Sequence, residues 1–137
     1  MFDARPTTLT MISPLLTVAA QQTGEIIVRV VGLASNKGEV RFGLYDTAES
    51  FQQRVAMRSG TCPIKEYQCE FTITEVPYGI YAIMVGHDEN LNGKIDWISG
   101  ERAGVSNYTG KLRWFPNFDK AKFEHTNEKT FIEIRVY

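Results

Sequence analysis

Between Asp88 and Asp96 the chain sets short oxygen-bearing side chains at alternate positions and then bends at a glycine: Asp88, Asn90 and Asn92 precede Gly93, Lys94 and Asp96. That order suits a loop wrapped around a hard cation. A D-x-[DN]-x-[DN]-G loop supplies side-chain oxygens at positions 1, 3 and 5, a sharp bend at 6, a main-chain carbonyl at 7 and often a carboxylate at 9. The carbonyl of Lys94 falls at position 7 and the carboxylate of Asp96 at position 9, while Ile95 is an apolar anchor. Position 12, which carries a bidentate Glu in helix-loop-helix sites, is Ser99, and Glu101 lies just beyond it. With Asp88 and Asp96 as carboxylates and at most Glu89 or Glu101 added, such a site belongs to the weak extracellular class, with a dissociation constant on the order of 10⁻⁴ to 10⁻³ M for Ca2+. The competing reading is an ordinary β-turn. Asn92-Gly93 is a hairpin signal in its own right, and Asp and Asn favour turns by bonding to their own backbone. A plain turn, however, has no need of oxygens at three alternating positions.

A second set of residues suits a different chemistry. Trp97, Tyr108, Trp114 and Phe115 cluster beside Asn107 and Arg113, and exposed aromatics with amides and guanidinium groups form platforms for sugars. The alternative is burial, since large aromatics of β-proteins commonly fill the core. Catalysis finds little support. The chain has no Gly-x-Ser-x-Gly elbow, phosphate-cradling glycine loop or His-Glu-x-x-His helix, each of which carries a known chemistry. His87 is adjacent to Asp88, but neighbours on a strand face opposite ways. A non-catalytic module is therefore expected.

Fifteen Lys and Arg against 16 Asp and Glu leave a net charge of −1 with no basic stripe, which argues against nucleic acid as a partner. An unidentified protein or a glycan is the partner class that remains. Residues 1–23 read as a leader, a signal peptide or a disordered segment: Leu9 to Ala20 is apolar apart from threonines and a serine, and Val18-Ala19-Ala20 resembles a signal-peptidase site. The stretch is too short and interrupted to span a bilayer. Cys62 and Cys69, the only cysteines, would enclose a small loop as a disulfide in an oxidising compartment. They could equally be reduced thiols, and Cys69 shares a strand face with Phe71 and Ile73. Export to the periplasm or medium and a Cys62–Cys69 disulfide support one another.

The elements that must position these groups are strands. Period-two alternation runs through Ile26, Val28 and Val30, through Val40, Phe42 and Leu44, through Cys69, Phe71 and Ile73, through Tyr81, Ile83, Val85 and His87, and through Ile132, Ile134 and Val136. The first two runs, joined by Asn36-Lys37-Gly38, read as a hairpin. Ala48, Phe51 and Val55 stand at helical spacing, with Asp46 and Glu49 in a capping-box arrangement. Residues 24–137 are thus expected to form one all-β domain, a mostly antiparallel two-sheet sandwich of about seven strands with one short helix.

Val76-Pro77-Tyr78-Gly79-Ile80-Tyr81-Ala82 running into the segment from His87 to Asp96 resembles the bacterial domain of unknown function 2141 family. The resemblance extends from Gly24 to Tyr137 and includes Gly32-Leu33, Gly104-Val105-Ser106-Asn107 and the segment from Phe118 to Phe123. It implies an exported, prealbumin-like β-sandwich with no assigned activity. The segment from Trp97 to Arg102 is shorter than the family pattern, which leaves open whether Glu101 or any other ligand beyond Asp96 joins the loop.

Overall fold

The computed structural model describes residues 21–94, 101–109 and 116–137. Eight strands follow in the order β1 (Thr23–Val31), β2 (Glu39–Tyr45), β3 (Arg58–Pro63), β4 (Cys69–Pro77), β5 (Gly79–Asp88), β6 (Ala103–Val105), β7 (Phe123–His125) and β8 (Lys129–Arg135). Two short helices, α1 (Ala48–Gln53) and α2 (Phe118–Ala121), interrupt them. One sheet has the order β4-β1-β8, and the other has β3-β2-β5-β6 with β7 also pairing with β5. The all-β sandwich-like expectation holds, with one more strand and one more helix among the described residues than the periodicity indicated.

Alternation dictates the core. Ile26, Val28 and Val30 of β1 are fully buried, as are Val40 and Leu44 of β2 and Ile83 of β5, and all belong to one cluster between the sheets. Phe42 stacks on Phe71 with ring centroids 4.0 Å apart and planes 14° apart, joining the two layers through an aromatic pair. Cys62 and Cys69 belong to the same cluster.

One expectation of pairing is corrected. β1 and β2 do not form a hairpin: β1 pairs with β4 and β8, and β2 with β3 and β5. Each strand has one strongly apolar face, and the link through residues 32–38 is long enough to cross the ~10 Å between packed sheets, so the two faces meet across the core. The sandwich is mostly antiparallel, as expected, and the exception is β8, which runs parallel to β1 in the register Val28↔Ile132 and Val30↔Ile134. Parallel neighbours need a long crossover, and here nearly the whole domain provides it. At the other crossing, Pro77-Tyr78-Gly79 swings the chain from β4 into β5 of the opposite sheet. The Tyr81 hydroxyl donates to the Pro77 carbonyl at 2.6 Å and braces that corner.

The helix cap expected from spacing also shifts by a residue. Thr47, not Asp46, caps α1: its Oγ1 accepts from the Ser50 amide at 3.0 Å while the Ser50 Oγ accepts from the Thr47 amide at 3.3 Å. A second buried cluster, holding Tyr45, Phe51, Ala82, Val105 and Ala121, lies under α1 and α2 on the outer face of the larger sheet. Phe51 meets Tyr45 edge-on at 5.3 Å and Phe118 at 6.0 Å. Val55, grouped with Phe51 by its spacing, is 61% exposed, because the helix has already closed at Arg54. Among the described residues, no helix is long and apolar enough to cross a membrane.

Substituting Phe51→Ala is expected to lower unfolding free energy by about 3–5 kcal/mol, whereas Val55→Ala should change it by less than about 0.5 kcal/mol. Denaturant unfolding followed by circular dichroism measures both. Equal effects from the two substitutions would contradict the packing of α1.

Candidate functional site

β5 ends at Asp88, and the bends that follow are organised by that side chain. Asp88 is fully buried, so its carboxylate must find donors. The chain supplies them from the loop: the Asn92 amide donates to Oδ1 at 3.2 Å and the Gly93 amide to Oδ2 at 2.9 Å. The series continues along the loop, with the Asn92 amide also donating to Asn90 Oδ1 at 3.2 Å and the Lys94 amide to Asn92 Oδ1 at 3.1 Å. Leu91 and Gly93 take positive φ angles of 57° and 87°. Positions 1, 3 and 5 of the sequence pattern thus all use a side-chain oxygen to bend the backbone towards itself.

Two neighbours complete the surroundings. Arg41 places Nη1 3.9 Å from Asp88 Oδ2 and 3.1 Å from Glu39 Oε2, as the antiparallel register Glu39↔Asp88 and Arg41↔Gly86 allows. Glu101 folds back to the start of the loop, where its Oε2 accepts from the Glu89 amide at 3.0 Å, and Glu89 Oε2 in turn accepts from the Ser35 hydroxyl at 2.8 Å. Glu101 is 8% exposed. Among the described residues, no three acidic, histidine or cysteine side chains converge as a metal-binding group. Asp96 lies outside the described residues.

The loop is held against its neighbour by close contact. Gly38, at φ +73°, sits on the Asp88–Glu89 backbone so tightly that a Cβ there would come within 2.7 Å of Glu89 Cα. His87 points inward and is fully buried; its Nε2 donates to the Lys37 carbonyl at 2.7 Å, leaving Nδ1 without a hydrogen-bond partner among the described residues. His125 is also fully buried, with Nδ1 2.6 Å from Thr130 Oγ1 and Nε2 3.2 Å from the Val76 carbonyl oxygen. Both histidines serve the frame.

The remaining sequence candidates divide. Trp97 and Trp114 lie outside the described residues. Tyr108 is half-buried and packs against the cluster beneath the helices. Cys62 and Cys69 are brought together from β3 and β4, the edge strands of opposite sheets, but they are free thiols rather than the expected disulfide. A hydrogen bond between the two side chains is the main reason Cys62 is pulled below its ordinary pKa and Cys69 is pushed above it; burial adds to the rise at Cys69. Cys62 is therefore the sulfur that ionises first.

Gly104-Val105-Ser106-Asn107 proves to be structural. A Cβ on Gly104 would lie 2.5 Å from the Arg135 carbonyl oxygen. Ser106 Oγ accepts from the Ile83 amide at 2.9 Å and donates to the Ala121 carbonyl at 2.6 Å, while Asn107 Nδ2 donates to the Lys122 carbonyl at 3.0 Å. These residues pin α2 to β5. The parts of the loop's setting that spacing did not show are Ser35, Gly38 and Arg41, which arrive from β2 and its preceding link; the turn at Asn36-Lys37-Gly38 was the available signal.

No curated protein and no solved structure matches the chain. Residues 28–133 match the family described as uncharacterized protein conserved in bacteria, DUF2141. Together with a fold in which the matched segment spans both sheets from β1 to β8, that match means the chain belongs to this bacterial family.

Proposed function

We propose that the protein is a non-catalytic β-sandwich module of the bacterial cell exterior, periplasmic or secreted, whose loop from Asp88 to Asp96 takes up a weakly held calcium ion. The observation that carries this reading is the buried Asp88 carboxylate at the head of the loop. Each of its oxygens accepts one loop amide, and a carboxylate oxygen has two acceptor sites. Asn90 and Asn92 use their side-chain oxygens in the same way. Hard cations take mixed shells of carboxylate, amide and main-chain oxygens, and this loop concentrates all three. Ca2+ bound there would neutralise a buried carboxylate that otherwise relies on loop amides and Arg41. The engagement of both histidines within the frame supports a role without catalysis.

Calcium is a staple in this reading. At about 1 mM Ca2+ and a constant near 0.1 mM, linkage adds about 1.4 kcal/mol to folding. The melting temperature should therefore rise by about 3–6 °C between calcium-free buffer and 1 mM Ca2+. Differential scanning calorimetry reads this directly, and Asn90→Ala, which removes an exposed ligand, should halve the rise or more. Unchanged melting up to about 10 mM Ca2+ would exclude a site even of the weak class.

The compartment has its own test. Outside the cytosol the contacting thiols of Cys62 and Cys69 are expected to close, by attack of the Cys62 thiolate during exchange with an existing disulfide. Protein recovered from its native compartment should be lighter by two hydrogens than the reduced chain. Reduction should cost about 2–3 kcal/mol of stability for so short a loop. Two alkylatable thiols in the native protein after denaturation would place it in a reducing compartment.

A further inference from the structure

The smaller sheet, β4-β1-β8, ends on one side at β8. The Glu25 amide donates to the Glu128 carbonyl at 2.8 Å, and the Val136 amide donates to the Val31 carbonyl at 3.0 Å, so the even-numbered residues of β8 direct their backbone groups to β1. Backbone groups alternate between the two edges of a strand. Those of Lys129, Phe131 and Glu133 therefore leave by the far edge, where no strand pairs with them among the described residues. β6 closes the end of that edge, where the Tyr137 amide donates to the Ala103 carbonyl at 3.1 Å.

Proteins blunt an open strand edge with bulges, prolines, covering side chains or charges. Two other edge strands show these devices. β4 slips register between Gly24 and Ile26 and carries Glu75 at φ 54°, and Arg58 Nη2 reaches over to donate to the Thr74 carbonyl at 3.0 Å. β3 contains Gly60 and ends at Pro63. β8 has neither glycine nor proline, and its seven residues keep an unbroken register with β1. Phe131, at its middle, is 71% exposed. The charges of β8 do not guard it against itself, because Lys129 and Glu133 are opposite in sign and stand two residues to either side of Phe131.

We propose that β8 pairs antiparallel with β8 of a second copy of this chain, about a two-fold axis at Phe131, joining the two small sheets into one of six strands. Adding a strand to an open edge is a recurrent mode of recognition, and here the charge order selects the register. With Phe131 opposite its own counterpart, Lys129 lies opposite Glu133 of the second copy and Glu133 opposite its Lys129. All three pairs use backbone groups that face the free edge, so each exchanges both hydrogen bonds. Behind them on the same face, Glu25 stands beside Lys129 and Arg29 beside Glu133, so charge alternates in sign from one β1 across to the other. The row between is apolar, with Ile27 beside Phe131 on both sides of the axis. A register two residues further along would set Lys129 opposite Arg135 and would need the stretch that β6 occupies. The same patch is used on both copies, so the assembly closes at two.

Sedimentation velocity in calcium-free reducing buffer tests the pairing apart from the calcium and thiol readings. A monomer–dimer equilibrium with a dissociation constant on the order of 1–100 µM is expected of so small an interface. Lys129→Glu and Glu133→Lys each set like charges opposite one another twice, and each should weaken the dimer about tenfold or more. Mixed in equal amounts, the two variants should form a heterodimer, because every cross-strand charge pair is then of opposite sign. Phe131→Pro removes an amide that faces the free edge and no bond to β1, so it should give a folded monomer. If that variant does not fold, the mixing experiment decides the matter. The proposal is overturned by a chain that stays monomeric to about 500 µM, which would leave the edge to a strand of another protein. It is equally overturned by a charge variant that dimerises as tightly as the parent, by variants that fail to associate on mixing, or by folded Phe131→Pro that still dimerises.

Discussion

The arrangement around the loop depends on one carboxylate that water does not reach. Asp88 is the last residue of β5 and fully buried, and an ionised group in that position is tolerated only when donors surround it. Two amides of its own loop and the guanidinium of Arg41 meet that demand. The loop is thus bent by the needs of the strand end and not by turn propensity alone. Gly38 must approach the backbone of Asp88 and Glu89, which ties the link after β1 to the same point. Ser35 and Glu101 then attach to Glu89, so segments from three parts of the chain converge where β5 ends.

Much of the strand content was legible because one face of each strand is apolar. Ile26, Val28 and Val30 were read as inward, and they are fully buried. Pairing was less legible. Alternation states which face is buried but not which neighbour lies alongside, so β1 and β2 looked like a hairpin although they face one another across the core. The parallel union of β1 with β8 involves residues a hundred positions apart, beyond the reach of any local pattern. At the candidate site the oxygen spacing from Asp88 to Asn92 was visible, because those side chains act within a few residues of themselves. Arg41 was not visible as their companion, since only the register Glu39↔Asp88 brings it there.

The larger sheet is used on both faces, and this explains features that simple alternation would call defects. Its inner face packs on the smaller sheet, while part of its outer face is covered by α1 and α2 through Tyr45, Phe51, Ala82 and Val105. β5 therefore reads as a nearly continuous buried run, the pattern expected of a strand covered on both sides. The helices are short, and α1 ends at Arg54. Beyond it Gly43 lies under the Tyr45 ring, and both Gly43 and Gly86 are buried.

The loop borders a groove on the outer face of the larger sheet, and Lys94 stands at the boundary. Its amide is fixed by Asn92 Oδ1, Asn92 is fixed by Asp88 and Asn90, and Lys94 lines the groove. Arg41 adds a second link, standing between Asp88 and the groove floor. The two cations reach this face by different routes. Lys94 is placed by turns that Asp88, Asn90 and Asn92 hold through their side-chain oxygens, whereas Arg41 is placed by the pairing of β2 with β5, so the turns can change without moving the strand that carries Arg41.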